Sequence, residues 1–222
     1  MNLIGTSAKK TLSFAKQNPL LLFLIQIPVG LLGVLQSLLE PYLEWHPVVA
    51  LIILLPLFSM GSSLSTALTF LVVQTRNSDT HSNFSHDWKR LTDRFTSLAG
   101  SSFIVALFFG LGLAALILPG FYFLAIYIFV PILAVSAPPQ PISQYLYKSK
   151  KMITQSRKIL FTTIGLVTLS FLAELPLSLI ANFLSSFFGG ALIIDAAATM
   201  MLGALLDCFI VFYFLNLQSK GT

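Results

Sequence analysis

The sequence predicts an all-α, polytopic membrane protein: six transmembrane helices arranged as three hairpins, each preceded by a basic amphipathic helix at the membrane interface. Three observations predict it. Of 222 residues, 56% are hydrophobic and only 9% charged, against about 25% charged in soluble domains, and the mean hydropathy is +0.86. No Asp, Glu, Lys or Arg interrupts the chain between Arg94 and Lys148, which is far more uncharged chain than a soluble core element needs and enough for two spans of roughly 20 residues each. The basic residues, finally, gather in segments between the apolar runs and are missing from the runs themselves.

Taken in order, residues 3–17 carry Lys9, Lys10 and Lys16 against an apolar stripe of Leu3, Ile4, Ala8, Leu12 and Ala15, the pattern of an interfacial helix. Pro19 suits the first turn of the next helix, and Leu20–Leu39 is long enough at 1.5 Å per residue to cross about 30 Å of hydrocarbon. This run is too long for a signal peptide and lacks a small-residue cleavage site, so a retained first span is expected. Residues 40–46 form a short polar connection in which Tyr42 and Trp45 are typical of the water interface. The second span covers about 48–74, where Pro56, Gly61 and a Ser/Thr-rich second half predict a kink and close packing on a neighbour.

After a polar loop, Phe84, Trp88, Leu91 and Phe95 recur at i, i+4, i+7 and i+11 with charged residues between them. That spacing predicts an interfacial helix over about 83–95 with Trp88 at headgroup depth and Phe84, Leu91 and Phe95 pointing towards hydrocarbon. Spans three (98–118) and four (121–137) follow, with Pro119 and Gly120 as the hairpin turn. A third basic helix, about 142–157, places Ile142, Tyr145, Leu146, Ser149, Met152 and Ile153 on one face and is expected to lie in the interface as well. Span five covers 159–181, and span six covers 190–217. The architecture therefore repeats, surface helix then hairpin, from near Leu3, Asn83 and Ile142.

Charge placement fixes the expected orientation. With both termini cytoplasmic, segments 1–19, 75–97, 138–158 and the tail contain all 13 Lys and Arg, and the three opposite loops contain none, as the positive-inside rule requires. The formal net charge of +5 would suggest nucleic acid as the partner of a soluble protein. Here it points to anionic lipid headgroups, with Lys9, Lys10, Lys16, Lys89, Arg90, Arg94, Lys148, Lys150, Lys151, Arg157 and Lys158 as the contacting residues. No nucleic-acid partner is expected. A membrane-protein partner or a second copy of the chain is the remaining candidate.

Three short phrases carry a family likeness: Ala8-Lys9-Lys10 with Lys16-Gln17-Asn18-Pro19-Leu20-Leu21, then Leu118-Pro119-Gly120-Phe121-Tyr122, then Tyr147-Lys148-Ser149-Lys150-Lys151-Met152-Ile153-Thr154 with Arg157-Lys158. In these places the chain resembles the YciC-like group of bacterial membrane proteins and the related membrane domain of some glycerophosphoryl diester phosphodiesterases. It departs from the group where Pro138-Pro139-Gln140-Pro141 replaces a small acidic-glycine turn, and in lacking the hydrolase domain. The resemblance implies a multi-pass inner-membrane protein with envelope or lipid-related roles, and it supplies no catalytic residues.

Chemistry within the spans rests on three acids, Glu174, Asp195 and Asp207. A carboxylate at mid-bilayer costs a few kcal/mol on insertion scales, so each marks a functional candidate. No Lys or Arg lies in a span to pair with them, so each must be neutral, reach water, or accept hydrogen bonds from neighbours such as Ser170, Thr199 or Ser178. Glu174 and Asp195 fall at similar depth on consecutive spans, which permits a shared polar site near the outer half. Against enzyme chemistry, His46, His81 and His86 all lie in loops, Gly61-Ser62-Ser63 has no histidine base, and His86-Asp87 is too small a set for a metal. Neither cofactor nor metal is expected. The lone cysteine, Cys208, excludes an intramolecular disulfide. The expected function is non-enzymatic: a basic cytoplasmic collar that binds anionic lipid in envelope or membrane homeostasis. The alternative is a small transporter, channel or lipid-moving protein built on the three acids, with Pro28, Pro56, Pro131 and Pro176 breaking its helices.

Overall fold

The computed structural model describes residues 3–27, 29–31, 35, 47–77, 84–115, 117–170, 172 and 191–219. These residues are helical with short connections, and no strand occurs among them. The helices are α1 (Leu3–Gln17), α2 (Pro19–Ile25), α3 (Pro47–Asn77), α4 (Phe84–Asp93), α5 (Phe95–Ala115), α6 (Ile117–Tyr127), α7 (Val130–Ser136), α8 (Ile142–Thr154), α9 (157–170) and α10 (Ala191–Gln218). Three stretches are long and apolar enough to cross a membrane: Phe95–Leu113, Leu118–Ser136 and Met200–Gln218. The chain is thus a membrane protein, helical throughout its described elements.

The core lies where α3, the α6–α7 pair and α10 meet. Phe129, between α6 and α7, packs edge-on against Phe214 of α10 with centroids 5.2 Å apart, and Phe214 in turn meets Phe70 of α3 at 6.0 Å. On the outside of α5, Phe103, Leu107 and Leu111 stand exposed at i, i+4 and i+8. An apolar stripe turned outward on a helix whose other face is already packed needs a lipid solvent. In such a solvent apolar burial between helices gains little, so close backbone approach and polar contacts must hold the bundle. The structure supplies both. Ser59 of α3 donates to the Ser102 carbonyl of α5 at 3.1 Å, and a Cβ on Gly112 would come within 2.7 Å of Gly120 Cα. Where these two glycines meet, α5 and α6 fold back on each other, with Phe108 stacked on Phe123 at 5.6 Å.

Several expected boundaries shift. Pro119 and Gly120 lie in the first turn of α6, after the helix has begun at Ile117, so the expected turn residues start the returning helix. Proline fits there because first-turn amides have no intrahelical acceptor. The expected fourth span is broken between Tyr127 and Val130, because Pro131 cannot donate to the Tyr127 carbonyl one turn back. Ser149 Oγ of α8 donates to the neighbouring Ile126 carbonyl at 2.8 Å, which satisfies part of the broken end. Pro56 lies within the unbroken α3, while Pro28 and Pro176 fall outside the described residues.

Each of the three basic helices packs differently from expectation. On α1 the buried residues are Ser7, Thr11 and Phe14; of the apolar stripe, Leu3 and Ala15 pack partly buried against the core, while Ile4 and Leu12 stay exposed. Phe14 meets Phe212 of α10 edge-on at 5.9 Å, and Asn216 of α10 bridges Ser7 Oγ at 2.9 Å and Lys10 Nζ at 3.0 Å. On α4 Leu91 is buried in protein whereas Trp88 and Phe95 are exposed; the Phe84 side chain lies outside the description. On α8 the expected face is real, but Tyr145, Ser149 and Ile153 are fully buried against protein. That face is consumed by the bundle and is not presented to lipid. Of the third unit's expected hairpin, residues 173–190 lie outside the described residues.

Candidate functional site

Asp207, the one intramembrane acid whose side chain is described, sits at the meeting of α2, α3 and α10 with 6% of its surface exposed. The helix over α2 is interrupted at Gln26, whose amide turns back to the Phe23 carbonyl at 3.1 Å. The Gln26 side chain is 1% exposed, and its Nε2 donates to Asp207 Oδ2 at 2.8 Å and to Ser65 Oγ at 2.6 Å. From α3, Ser65 Oγ donates to Asp207 Oδ2 and Thr66 Oγ1 to Oδ1, each at 2.5 Å. Thr66 Oγ1 also lies 2.9 Å from the Ser62 carbonyl of its own helix. Both carboxylate oxygens are therefore bonded to neutral donors from two other helices.

Among the described residues, two buried side-chain oxygens have no hydrogen-bond partner: Gln26 Oε1, in this site, and Thr69 Oγ1, about one helical turn along α3. Thr69 follows Ser65 by four residues and Thr66 by three, so the three share one face of α3. Gly203, one helical turn before Asp207, lies against the amide, and a Cβ there would come 3.1 Å from Gln26 Oε1. Among the described residues of the three helices, the charged neighbourhood is bare. No residue of α2 is charged, the only charged residue of α3 is Arg76 near its end, and α10 holds only Asp195 and Asp207.

The expected donors to Asp207 are corrected accordingly: Gln26, Ser65 and Thr66 supply its bonds, while the Ser170 hydroxyl turns to the Val167 carbonyl at 2.7 Å. Ser178 and Glu174 lie outside the described residues, as do the side chains of Thr199 and Asp195, though both residues fall within α10. The expected Glu174–Asp195 site therefore lies outside the description. Sequence reasoning missed Gln26, Ser65, Thr66 and Thr69. Their signal was present as a single amide within the apolar run 20–35 and as hydroxyls at i, i+1 and i+4 in an apolar helix.

At the basic residues, Lys9, Lys10, Lys16, Lys89, Lys148, Lys150, Lys151, Arg157 and Lys158 are exposed, and Arg90 and Arg94 are half-buried. Lys148 Nζ donates to Gln140 Oε1 at 2.7 Å, and Tyr145 Oη, accepting from the Gln140 amide at 3.0 Å, ties the same proline-rich loop to α8. Arg76, at the end of α3, donates to Asn18 Oδ1 between α1 and α2. Asp87 is buried, and Thr75 of α3 lies 3.2 Å from its Oδ1, so this acid fastens α4 to α3. Among the described residues, no three His, Cys, Asp or Glu side chains gather as a metal site.

Comparison of the chain with protein-family models, with curated proteins and with solved structures finds no match in any of the three.

Proposed function

We propose that this chain is a non-enzymatic, six-span protein of the inner membrane with both termini in the cytoplasm. Its basic collar holds anionic lipid headgroups and serves membrane or envelope homeostasis, alone or with a membrane-protein partner. The observation that carries this reading is on α8. Tyr145 and Ile153 are buried in protein while Lys148, Lys150 and Lys151 are exposed, and Arg157 and Lys158 follow within a few residues. A helix fastened in this way presents its cations on a rigid support, without needing to insert. No acid occurs between Asp93 and Glu174 to neutralise them. On α4, Trp88 is exposed with Lys89, the pairing of an aromatic anchor and a cation that suits headgroup depth. The motifs shared with the YciC-like group point the same way.

A basic residue near an anionic leaflet contributes roughly 1 kcal/mol, and the attraction is screened by salt. Native mass spectrometry of the detergent-purified chain with equal amounts of phosphatidylglycerol and phosphatidylcholine tests the proposal. Phosphatidylglycerol should be retained in preference, and Lys148→Glu, Lys150→Glu and Lys151→Glu together should weaken that preference on the order of 100-fold. Equal retention of the two lipids by the unaltered chain would overturn it. The alternative of transport through Glu174, Asp195 and Asp207 draws less support, because Asp207 is enclosed by its own hydrogen-bond partners.

A further inference from the structure

A buried carboxyl must either hold a proton or be matched by a compensating charge, besides making hydrogen bonds. Asp207 has the bonds, but the three helices that enclose it bring no cation near: Arg76 stands ten residues beyond Thr66 on α3, about 15 Å along the axis. The same enclosure leaves Gln26 Oε1 without a partner, and Thr69 Oγ1, one turn from Ser65 and Thr66 on α3, is likewise buried and unpartnered. A buried acceptor with unused lone pairs is costly and calls for a ligand that accepts electron density. We infer that Asp207, Gln26, Ser65, Thr66 and Thr69 form a binding site for one small monovalent cation, of which sodium is the natural probe.

The chemistry follows from the donor set. Carboxylate, hydroxyl and amide oxygens are hard ligands and select hard cations. A single carboxylate balances one positive charge, so a divalent ion would leave the apolar surroundings with a net charge. A half-turn of the Gln26 amide would bring Oε1 to the place of Nε2, which lies 2.8 Å from Asp207 Oδ2 and 2.6 Å from Ser65 Oγ, and so would complete an oxygen shell. Gly203 leaves the amide room for this turn, since a side chain there would begin 3.1 Å from Oε1. Because α2, α3 and α10 all contribute or flank a ligand, bound cation would fasten the three together. This inference is independent of headgroup binding, which is read by lipid retention at constant salt.

The test is thermal unfolding of the full-length chain in uncharged detergent, in sodium chloride against choline chloride at equal ionic strength. At sodium about 100-fold above half-saturation, the midpoint should rise by about 5–10 °C over choline. Asp207→Asn should abolish the difference, and Gly203→Ala, which keeps the carboxylate and favours the helix, should shrink it by at least half. Equal midpoints in the two salts for the unaltered chain would overturn the inference, as would a sodium effect that survives in either variant at full size. Should Asp207→Asn fail to fold, Gly203→Ala decides the matter.

Discussion

At the scale of single residues, Asp207 is held by what its neighbours would lose without it. Ser65, Thr66 and Gln26 each donate to its carboxylate, and a buried donor left without an acceptor costs about 1–3 kcal/mol. Asp207→Ala should therefore destabilise the bundle by about 3–5 kcal/mol, whereas Asp207→Asn, which retains an acceptor and the shape, should cost about 1–2 kcal/mol. Cys208 gives a built-in readout, because it is a free and fully buried thiol that alkylates only when the bundle opens. Equal unfolding midpoints for the two variants would mean that the carboxylate does not hold these donors. The acid itself was legible in the sequence, since a charge in an apolar run stands out. Its partners were not: they lie 141 and 181 residues away along the chain, and a hydroxyl in a membrane helix can equally bond its own backbone, as Thr163 does to the Ile159 carbonyl at 2.8 Å.

Among elements, glycine positions separate close packing from open surface. At Gly112 an added Cβ would meet the backbone of Gly120 at 2.7 Å, and backbone cannot give way as a flexible side chain can. Gly165, on α9, has nothing within 4 Å. Gly112→Ala should destabilise the chain by about 1–3 kcal/mol through overpacking, and Gly165→Ala should be neutral or stabilise it by up to about 1 kcal/mol through helix propensity. The same thermal unfolding compares them, and a loss at Gly165 as large as that at Gly112 would refute the close approach of α5 and α6. Apolar periodicity announced most of the helices but not which way they turn. The face of α8 was readable from Tyr145, Ser149 and Ile153, yet burial by protein and burial by lipid demand the same residues, so only the fold could show that α7 and its neighbours cover it. On α1 the fully buried positions are not those of the apolar stripe. Small polar residues such as Ser7 and Thr11 allow closer approach in a membrane bundle, and the larger Leu12 is left outside.

For the molecule as a whole, charge asymmetry and the exposed apolar stripes bear on the same question, how the bundle lies in the bilayer. Lys9, Lys16, Lys89, Lys150 and Lys158 are exposed on segments that adjoin the ends of apolar helices, and the cost of carrying such cations across hydrocarbon fixes the side on which they stay. Under the proposed topology, Gln155 lies on the cytoplasmic side, while Trp45 and Ser185, in connections without basic residues, lie on the opposite side. Single cysteines at these positions, introduced into a Cys208→Ser background, make the orientation measurable with a membrane-impermeant maleimide. In intact cells whose outer barrier admits the reagent, Trp45→Cys and Ser185→Cys should label at once, and Gln155→Cys, at a position exposed on the protein surface, only after the inner membrane is opened. If Ser185→Cys labels only after opening, the chain crosses the bilayer a different number of times between Gln155 and Ser185. The tail with Lys220 would then lie on the side opposite the basic segments from Lys9 to Lys158, and the topology with both termini in the cytoplasm would fall.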